Sequence, residues 1–425
     1  MKRSFIIISI LALMLFAAAC SKNKVAETPK PEAPQHGASE KPQTPHVCKN
    51  SFGFRLWEYE NAPEQNLLYS PFSINTAMGM VYTGARGNTA DEMAKVMGYK
   101  ANPKEQHESF AKSIESIQDI GSRKVAELFT ANGLFSADSN KAQMNQDYLN
   151  ILQKSFDSEI TYLDFGKARE SAEYINQWVE KNTKERIRDI VSERQIASSG
   201  DGLVLVNSIY FKSPWRYQFN RKETREDKFY TSSSRKDFIT LPLMHIVENY
   251  LYGEAEAAQV LEMPFEESEL SMVIVLPKEI DKLEFDDKNW HQWMDSLGKP
   301  RKVEVFLPRF RLESTLDKLP ETFRKMGMVD AFDAGKADLS GIMRLGKENL
   351  YISDIVHKAF LEVLEEGTEA AAATQVGIAK MSYTPEQQPI PVFRVDKPFF
   401  LAILNKQSDE ILFVAKVIKP EAAKE

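Results

Sequence analysis

The chain has 425 residues and a net charge of −7, from 54 lysines and arginines against 61 aspartates and glutamates. No basic block stands out, which argues against a nucleic-acid partner. It has only two cysteines, Cys20 and Cys48, too few for a disulfide framework, so a folded unit must rest on its apolar core, and the length suffices for that.

Lys2 and Arg3 precede an apolar run, 5–19, broken only by Ser9. A spanning helix needs about 20 apolar residues, and this run is shorter. It ends Ala17-Ala18-Ala19-Cys20, small residues ahead of a cysteine. The pattern is a signal peptide over 1–19 with a lipoprotein-type cleavage site, which makes Cys20 the expected lipidation position. The plainer alternative is an ordinary secretory signal with an incidental cysteine. With Cys20 lipidated, Cys48 has no partner within the chain. Residues 20–47 are rich in Lys, Glu, Pro, Ala, Gln and Thr, with too little apolar surface to offset the entropy of ordering them. They read as a stalk holding a domain at 48–420 off a membrane. The expected location is the bacterial cell envelope, at the outer membrane or cell surface.

Helical spacing of apolar residues marks 46–59, 73–84, 88–97 and 103–119, with helix-start chemistry at Ser70-Pro71 and Ser73. A strand follows at 126–135, a helix at 144–155, and a second helix at 168–183 with Ala172, Ile175 and Trp178 on one face. The apolar, β-branched run 203–211 is a strand. From 238 to 276 short strands alternate with turns, at 249–253, 259–263 and 271–276. The strand 303–312 contains Pro308, which predicts an irregular or edge position. A helix is expected at 316–328. A helix-rich start and a strand-rich end give an α+β domain built as one unit.

Enzyme signatures are missing: there is no His-Glu-x-x-His, no Gly-x-Ser-x-Gly and no phosphate-binding glycine loop. The six histidines, His36, His46, His107, His245, His291 and His357, form no metal-ligand spacing with cysteine, so neither a metal nor a cofactor is expected. His357, in Ile355-Val356-His357-Lys358-Ala359-Phe360, reads as a hydrogen-bonded core histidine.

The most informative stretch is Glu365-Glu366-Gly367-Thr368-Glu369-Ala370-Ala371-Ala372-Ala373-Thr374. With period two, Thr368, Ala370, Ala372 and Thr374 share one face, and all are small. Such a segment can slide between two existing strands without collision. Its alanines have little strand propensity, so it need not be a strand at all times. A loop-like tract, 375–385, follows, and strand patterning resumes at 392–395 and 399–404. A small-residue strand leading into an exposed loop is a conditional sheet member with a bait attached.

That motif resembles the hinge of the serpins, the serine-protease-inhibitor superfamily. Other segments are similar to family motifs in the same order: Tyr69-Ser70-Pro71-Phe72-Ser73-Ile74; Asn207-Ser208-Ile209-Tyr210-Phe211-Lys212-Ser213-Pro214-Trp215 with Phe219; Leu307-Pro308-Arg309-Phe310; Met328 with Asp330-Ala331-Phe332 and Ala337-Asp338-Leu339-Ser340-Gly341-Ile342; and Asp396-Lys397-Pro398-Phe399. The resemblance covers 48–420. It implies three β-sheets, about nine helices and an exposed reactive-centre loop. It also implies a breach of Trp215, Arg309 and Glu365 where the loop first enters the sheet. Ser70, Ser73, Asn207 and His357 would form a polar shutter cluster beneath the strands that part. Family spacing from Gly367 places the reactive bond at Met381-Ser382, with Lys380-Met381 or Tyr383-Thr384 as alternatives, because the tract up to Val392 is long and carries Pro385, Pro389 and Pro391. Met381 suits an elastase-, chymotrypsin- or subtilisin-like serine protease; Lys380 would suit a trypsin-like one. The implied function is suicide inhibition of serine proteases, extending to papain-like cysteine proteases, by a monomer. The alternative is a serpin-fold binding protein or chaperone. Leu364 stands where many family members have a polar residue, a departure that bears on insertion kinetics.

Overall fold

The strand Leu203–Lys212 is buried at every position but the last, as its run of Leu, Val and Ile dictates, and such a strand needs cover on both faces and neighbours on both edges. The computed structural model describes residues 50–100, 103–122, 126–266, 269–344, 349–366 and 389–423, all within the unit Val47–Glu425. The expected signal peptide, Cys20 and the linker to residue 47 lie outside the described residues.

The buried strand sits inside a six-stranded sheet. In chain order its members are β1 (Glu127–Ala137), β2 (Ile160–Leu163), β3 (Leu203–Lys212), β4 (Phe310–Leu316), β5 (Ile352–Val363) and β6 (Glu421–Ala422), and across the sheet they run β6-β4-β5-β3-β1-β2. β1 is antiparallel to β3, and β4 is antiparallel to β5. Between these two antiparallel pairs, β3 and β5 lie side by side in parallel, registered from Leu203↔Ile352 to Phe211↔Leu361. A parallel pair requires a long crossover. Here the crossover carries most of the second sheet.

That second sheet has nine strands. Its organising member is one long strand, Phe238–Ala255, where the sequence predicts a short strand at 249–253 with turns around it. Leu243–Tyr250 pairs with Arg301–Pro308, and Leu251–Ala255 pairs with Ala258–Glu262. One strand therefore serves two sub-sheets, and the three expected sheets appear as two connected networks. The predicted strand 303–312 divides at Arg309. Arg301–Pro308 ends in the nine-stranded sheet and β4 begins in the six-stranded one. Pro308 has no N–H to continue a ladder, and Arg309 N donates instead to Pro242 O at 2.8 Å.

Nine α-helices occur among the described residues. Pro71–Gly84 is buried almost all round and packs against both sheets, on β3 and on the strand Glu410–Val417. Its start follows the sequence: Pro71 occupies the first turn, and the Ser70 side chain accepts from Ser73 N at 3.0 Å. Ala168–Asn182 covers the outer face of the six-stranded sheet, with Ala172, Ile175 and Val179 buried among Phe135, Val206 and Tyr210.

Candidate functional site

β5 ends at Val363, and the next three residues are held by one neighbouring segment. The Trp215 indole donates to Leu364 O at 2.9 Å, and Phe219 N donates to Glu365 O at 3.0 Å. Trp215 is fixed by stacking on Phe265 at 4.7 Å, with Phe219 edge-on at 6.3 Å. The Glu365 side chain is only 2% exposed. A carboxylate so buried needs a counter-charge and hydrogen bonds. Arg309 Nη1 lies 3.5 Å from its Oε1, and Thr224 Oγ1 donates to the same oxygen at 2.9 Å. Glu366 is turned to Arg221 Nε at 3.1 Å. Trp215, Arg309 and Glu365, separate in sequence, meet at this one corner. Thr224 and Arg221 were not predicted: both sit in a polar stretch whose sequence carries no sign of a distant partner.

Val392–Arg394 runs parallel to Arg301–Pro308, Glu304 N donates to Pro391 O at 2.9 Å, and Val395 N donates to Phe306 O at 2.8 Å. Both flanks of the tract 367–388 thus attach to one stretch of chain, 304–309, roughly 15–20 Å long at strand rise. Gly367, Thr368, Glu369, Ala370, Ala371, Ala372, Ala373 and Thr374, and also Lys380, Met381 and Ser382, lie outside the described residues.

Beneath this corner, midway along β3 and β5, a second cluster spans three strands. Asn132, Asn207 and His357 occupy one rank, Asn132↔Asn207 and Asn207↔His357. The His357 ring is fully buried. Ser70 N donates to its Nε2 at 3.0 Å, which puts the ring proton on Nδ1, facing Asn207 Oδ1. The Asn207 amide donates to Ser73 O at 3.1 Å and to Ser73 Oγ at 2.6 Å, and it also reaches Asn132 Oδ1. Ser73 Oγ lies 3.4 Å from Asn132 Oδ1. Burial pushes the His357 pKa down from 6.5 to about 3. Ser70, Ser73, Asn207 and His357 therefore converge. Asn132 completes the group and was missed; a lone asparagine amid the apolar pattern of β1 was the available signal. These contacts tie the helix Pro71–Gly84 to β1, β3 and β5 at once, so β3 and β5 cannot separate there without exchanging partners.

The arrangement bears directly on what β5 can do next. A strand placed between parallel neighbours is antiparallel to each if it runs the opposite way. The chain leaving Val363 needs only to reverse to run back between β5 and β3. Among the described residues no group of three or more His, Cys, Asp and Glu side chains could hold a metal ion.

A family model described as serpin (serine protease inhibitor) matches residues 48–420. The chain is 35% identical to Serpin B3 of Homo sapiens over 398 residues, covering 88% of this chain and 98% of that protein. It is 36% identical to leukocyte elastase inhibitor of Xenopus tropicalis, covering 87% and 97%. An uncharacterized serpin-like protein of Methanosarcina acetivorans is 35% identical, with 89% and 87% covered. Among solved structures, human thyroxine-binding globulin complexed with its ligand superposes with a TM-score of 0.75 at 27% identity, over 88% of this chain and 97% of that one. Native protease nexin-1 with heparin superposes with a TM-score of 0.74 at 25% identity, over 88% and 98%.

Proposed function

Because the chain belongs to the serpin family, we propose that it is an irreversible suicide-substrate inhibitor of serine proteases, acting by insertion of its cleaved loop into the six-stranded sheet. The observation that carries this reading is the parallel pairing of β3 with β5, together with the continuity of β5 into the pinned turn 364–366. The native sheet is closed there by direct ladder bonds, yet a strand running back from Val363 fits between its members.

The protease serine attacks the carbonyl carbon of Met381, the bond to Ser382 N breaks, and the fragment beginning at Ser382 leaves with a new amino terminus. Met381 stays esterified to the protease. Residues from Thr368 onward then insert, with Thr368, Ala370, Ala372 and Thr374 on the buried face. About 15 inserted residues at roughly 3.3 Å each carry the tethered enzyme on the order of 50 Å. Its active site is distorted before water releases the ester. Glu365 and Glu366 form the fixed end of this movement, and the shutter cluster sets how readily β3 and β5 part. Likeness to a relative named for elastase inhibition supports an elastase-type target, in agreement with Met381 as the recognised side chain. Reactive bonds at Lys380-Met381 or Tyr383-Thr384 belong to the same reading, the former with a trypsin-like target. Cys20 carries the lipid that tethers the domain, as a monomer, to the cell envelope.

The alternative, a serpin-fold binding protein, draws on the similarity to thyroxine-binding globulin. Incubation with a panel of serine proteases, followed by a denaturing gel and mass spectrometry, separates the two. An inhibitor gives a complex that survives denaturation; a binding protein gives only cleaved chain or no reaction.

A further inference from the structure

The first flank of the 367–388 tract is gripped by the segment 215–224 as well as by Arg309, the second by the strand Arg301–Pro308, and a second side chain besides Arg309 bridges the two grips. His245 lies in the strand Phe238–Ala255. Its Nδ1 is 3.0 Å from Glu223 Oε2, and its Nε2 is 3.2 Å from Glu304 Oε1. Glu223 belongs to the segment that grips the first flank, through Phe219 N on Glu365 O, Thr224 Oγ1 on the Glu365 carboxylate, and Arg221 on Glu366. Glu304 belongs to the strand that grips the second flank: its own N–H donates to Pro391 O, and it is registered against Val392.

A neutral imidazole has one N–H and one lone pair. Between two carboxylates it donates to one and turns its lone pair toward the other. An imidazolium donates to both, and each bond is charge-assisted. The His245 side chain is 27% exposed, so protons reach it from solvent. Phe306, from the strand Arg301–Pro308, stacks on the ring at 4.7 Å. Charged groups on the adjoining elements have partners of their own. Arg394 lies over Phe306 at 4.5 Å and pairs with Asp227 and, at 3.5 Å, with Asp396. The Arg225 guanidinium is turned to the carbonyls of Lys222 and Thr224. Glu248, on the same strand as His245, accepts from Asn249. Among the described residues, His245 is the only ion-pair partner of Glu223 and of Glu304.

We propose that His245 is a positioning residue of the bait: when charged, it ties the segment holding Glu365 and Glu366 to the strand holding Pro391 and Val392, and when neutral it releases one side of that frame. The proposal rests on reading 367–388 as the bait, and its consequence is a frame that is stiffer with the ring charged than with it neutral. Hydrogen–deuterium exchange of the intact protein at about pH 6 and pH 8, corrected for the intrinsic pH dependence of exchange, measures the frame directly. Peptides covering 216–224 and 301–308 are expected to be protected about five-fold more at the lower pH, the effect of one added charge-assisted hydrogen bond. His245→Gln and, from the other side, Glu304→Gln should each abolish that difference. Equal protection at both pH values in the parent, or an undiminished pH dependence in both variants, overturns the proposal. No protease enters the measurement, so a failure to trap protease bears on the inhibitory reading alone.

Discussion

Ser70 donates its backbone N–H to Nε2 of His357 across 3.0 Å, joining the start of a buried helix to the middle of β5. The bond works only with a neutral ring, because a proton on Nε2 would set two donors against each other. Desolvation lowers the His357 pKa to about 3, while the unfolded chain titrates near 6.5. Below the unfolded value the unfolded state takes up a proton that the native state refuses. The contribution of His357 to stability is therefore complete above about pH 6.5 and is lost as pH falls toward about 3, at up to about 1.4 kcal/mol per unit.

The first prediction follows. Denaturant unfolding at pH 7.5 and pH 5 should show a loss in the parent that exceeds the loss in His357→Asn by about 2 kcal/mol. An identical pH dependence in both proteins would mean that the ring is not held neutral in the native state.

The Arg309–Glu365 pair gives the second. Arg309→Ala leaves a carboxylate that is 2% exposed with, among the described residues, the Thr224 hydroxyl as its side-chain partner, and stability should fall by about 3 kcal/mol. Glu365→Gln in the Arg309→Ala background should recover part of that loss, since an amide needs no counter-charge. Urea melts of the parent, the single variant and the double variant decide it. A neutral Arg309→Ala would show that the pair does not restrain the turn after β5.

How much of this was legible in the sequence differs from residue to residue. Leu203–Lys212 announced itself by apolar, β-branched runs on either side of Asn207-Ser208, as a strand covered on both faces requires. The helix at Pro71 was equally clear from its cap. The long strand Phe238–Ala255 was not. Pro242 and the buried run Leu241–Met244 interrupt the alternation, since the strand passes from one sub-sheet to the other and its covered faces change along the way. Pro308 was seen to disturb its strand, but the passage between sheets at Arg309 is tertiary information. Asn132 showed only as a lone asparagine in an apolar strand and Thr224 not at all, because their partners lie on other elements, Asn207 on β3 and Glu365 after β5. The hinge expectation rests on small residues at period two, a signal local to the sequence, and Gly367 to Thr374 lie outside the described residues. The Arg309–Glu365 pairing came only by resemblance, since nothing in either neighbourhood names the other.

Specificity is the third prediction. With the reactive bond at Met381-Ser382, Met381→Arg should move inhibition from elastase- or chymotrypsin-like enzymes to trypsin-like ones, because the primary pocket of the protease reads that side chain most directly. Mass spectrometry of the released peptide fixes the register. A peptide beginning at Ser382 supports Met381; one beginning at Met381 moves the bait to Lys380.

Anchoring is the fourth. Cys20→Ala, expressed in a Gram-negative host, should shift the domain from the membrane to the soluble fraction, because the junction Ala17-Ala18-Ala19-Cys20 is then no longer processed as a lipoprotein. A variant cleaved elsewhere and still membrane-bound would show that lipid on Cys20 is not the tether.

The trap itself is tested by Thr368→Arg. A guanidinium on the face that must be buried stalls insertion at an unpaired-charge cost of several kcal/mol. Cleavage should proceed while the denaturant-resistant complex disappears. Trapping equal to that of the parent would contradict insertion of this face.

The most direct measurement of the central claim is thermal unfolding of the intact protein beside a sample nicked once in the 367–388 tract. If the freed segment inserts between β3 and β5, each inserted residue adds ladder bonds on both sides and buries its small face, and the nicked protein melts at a clearly higher temperature than the intact one. An unchanged or lower melting temperature would contradict insertion, and the inhibitory mechanism would fall with it.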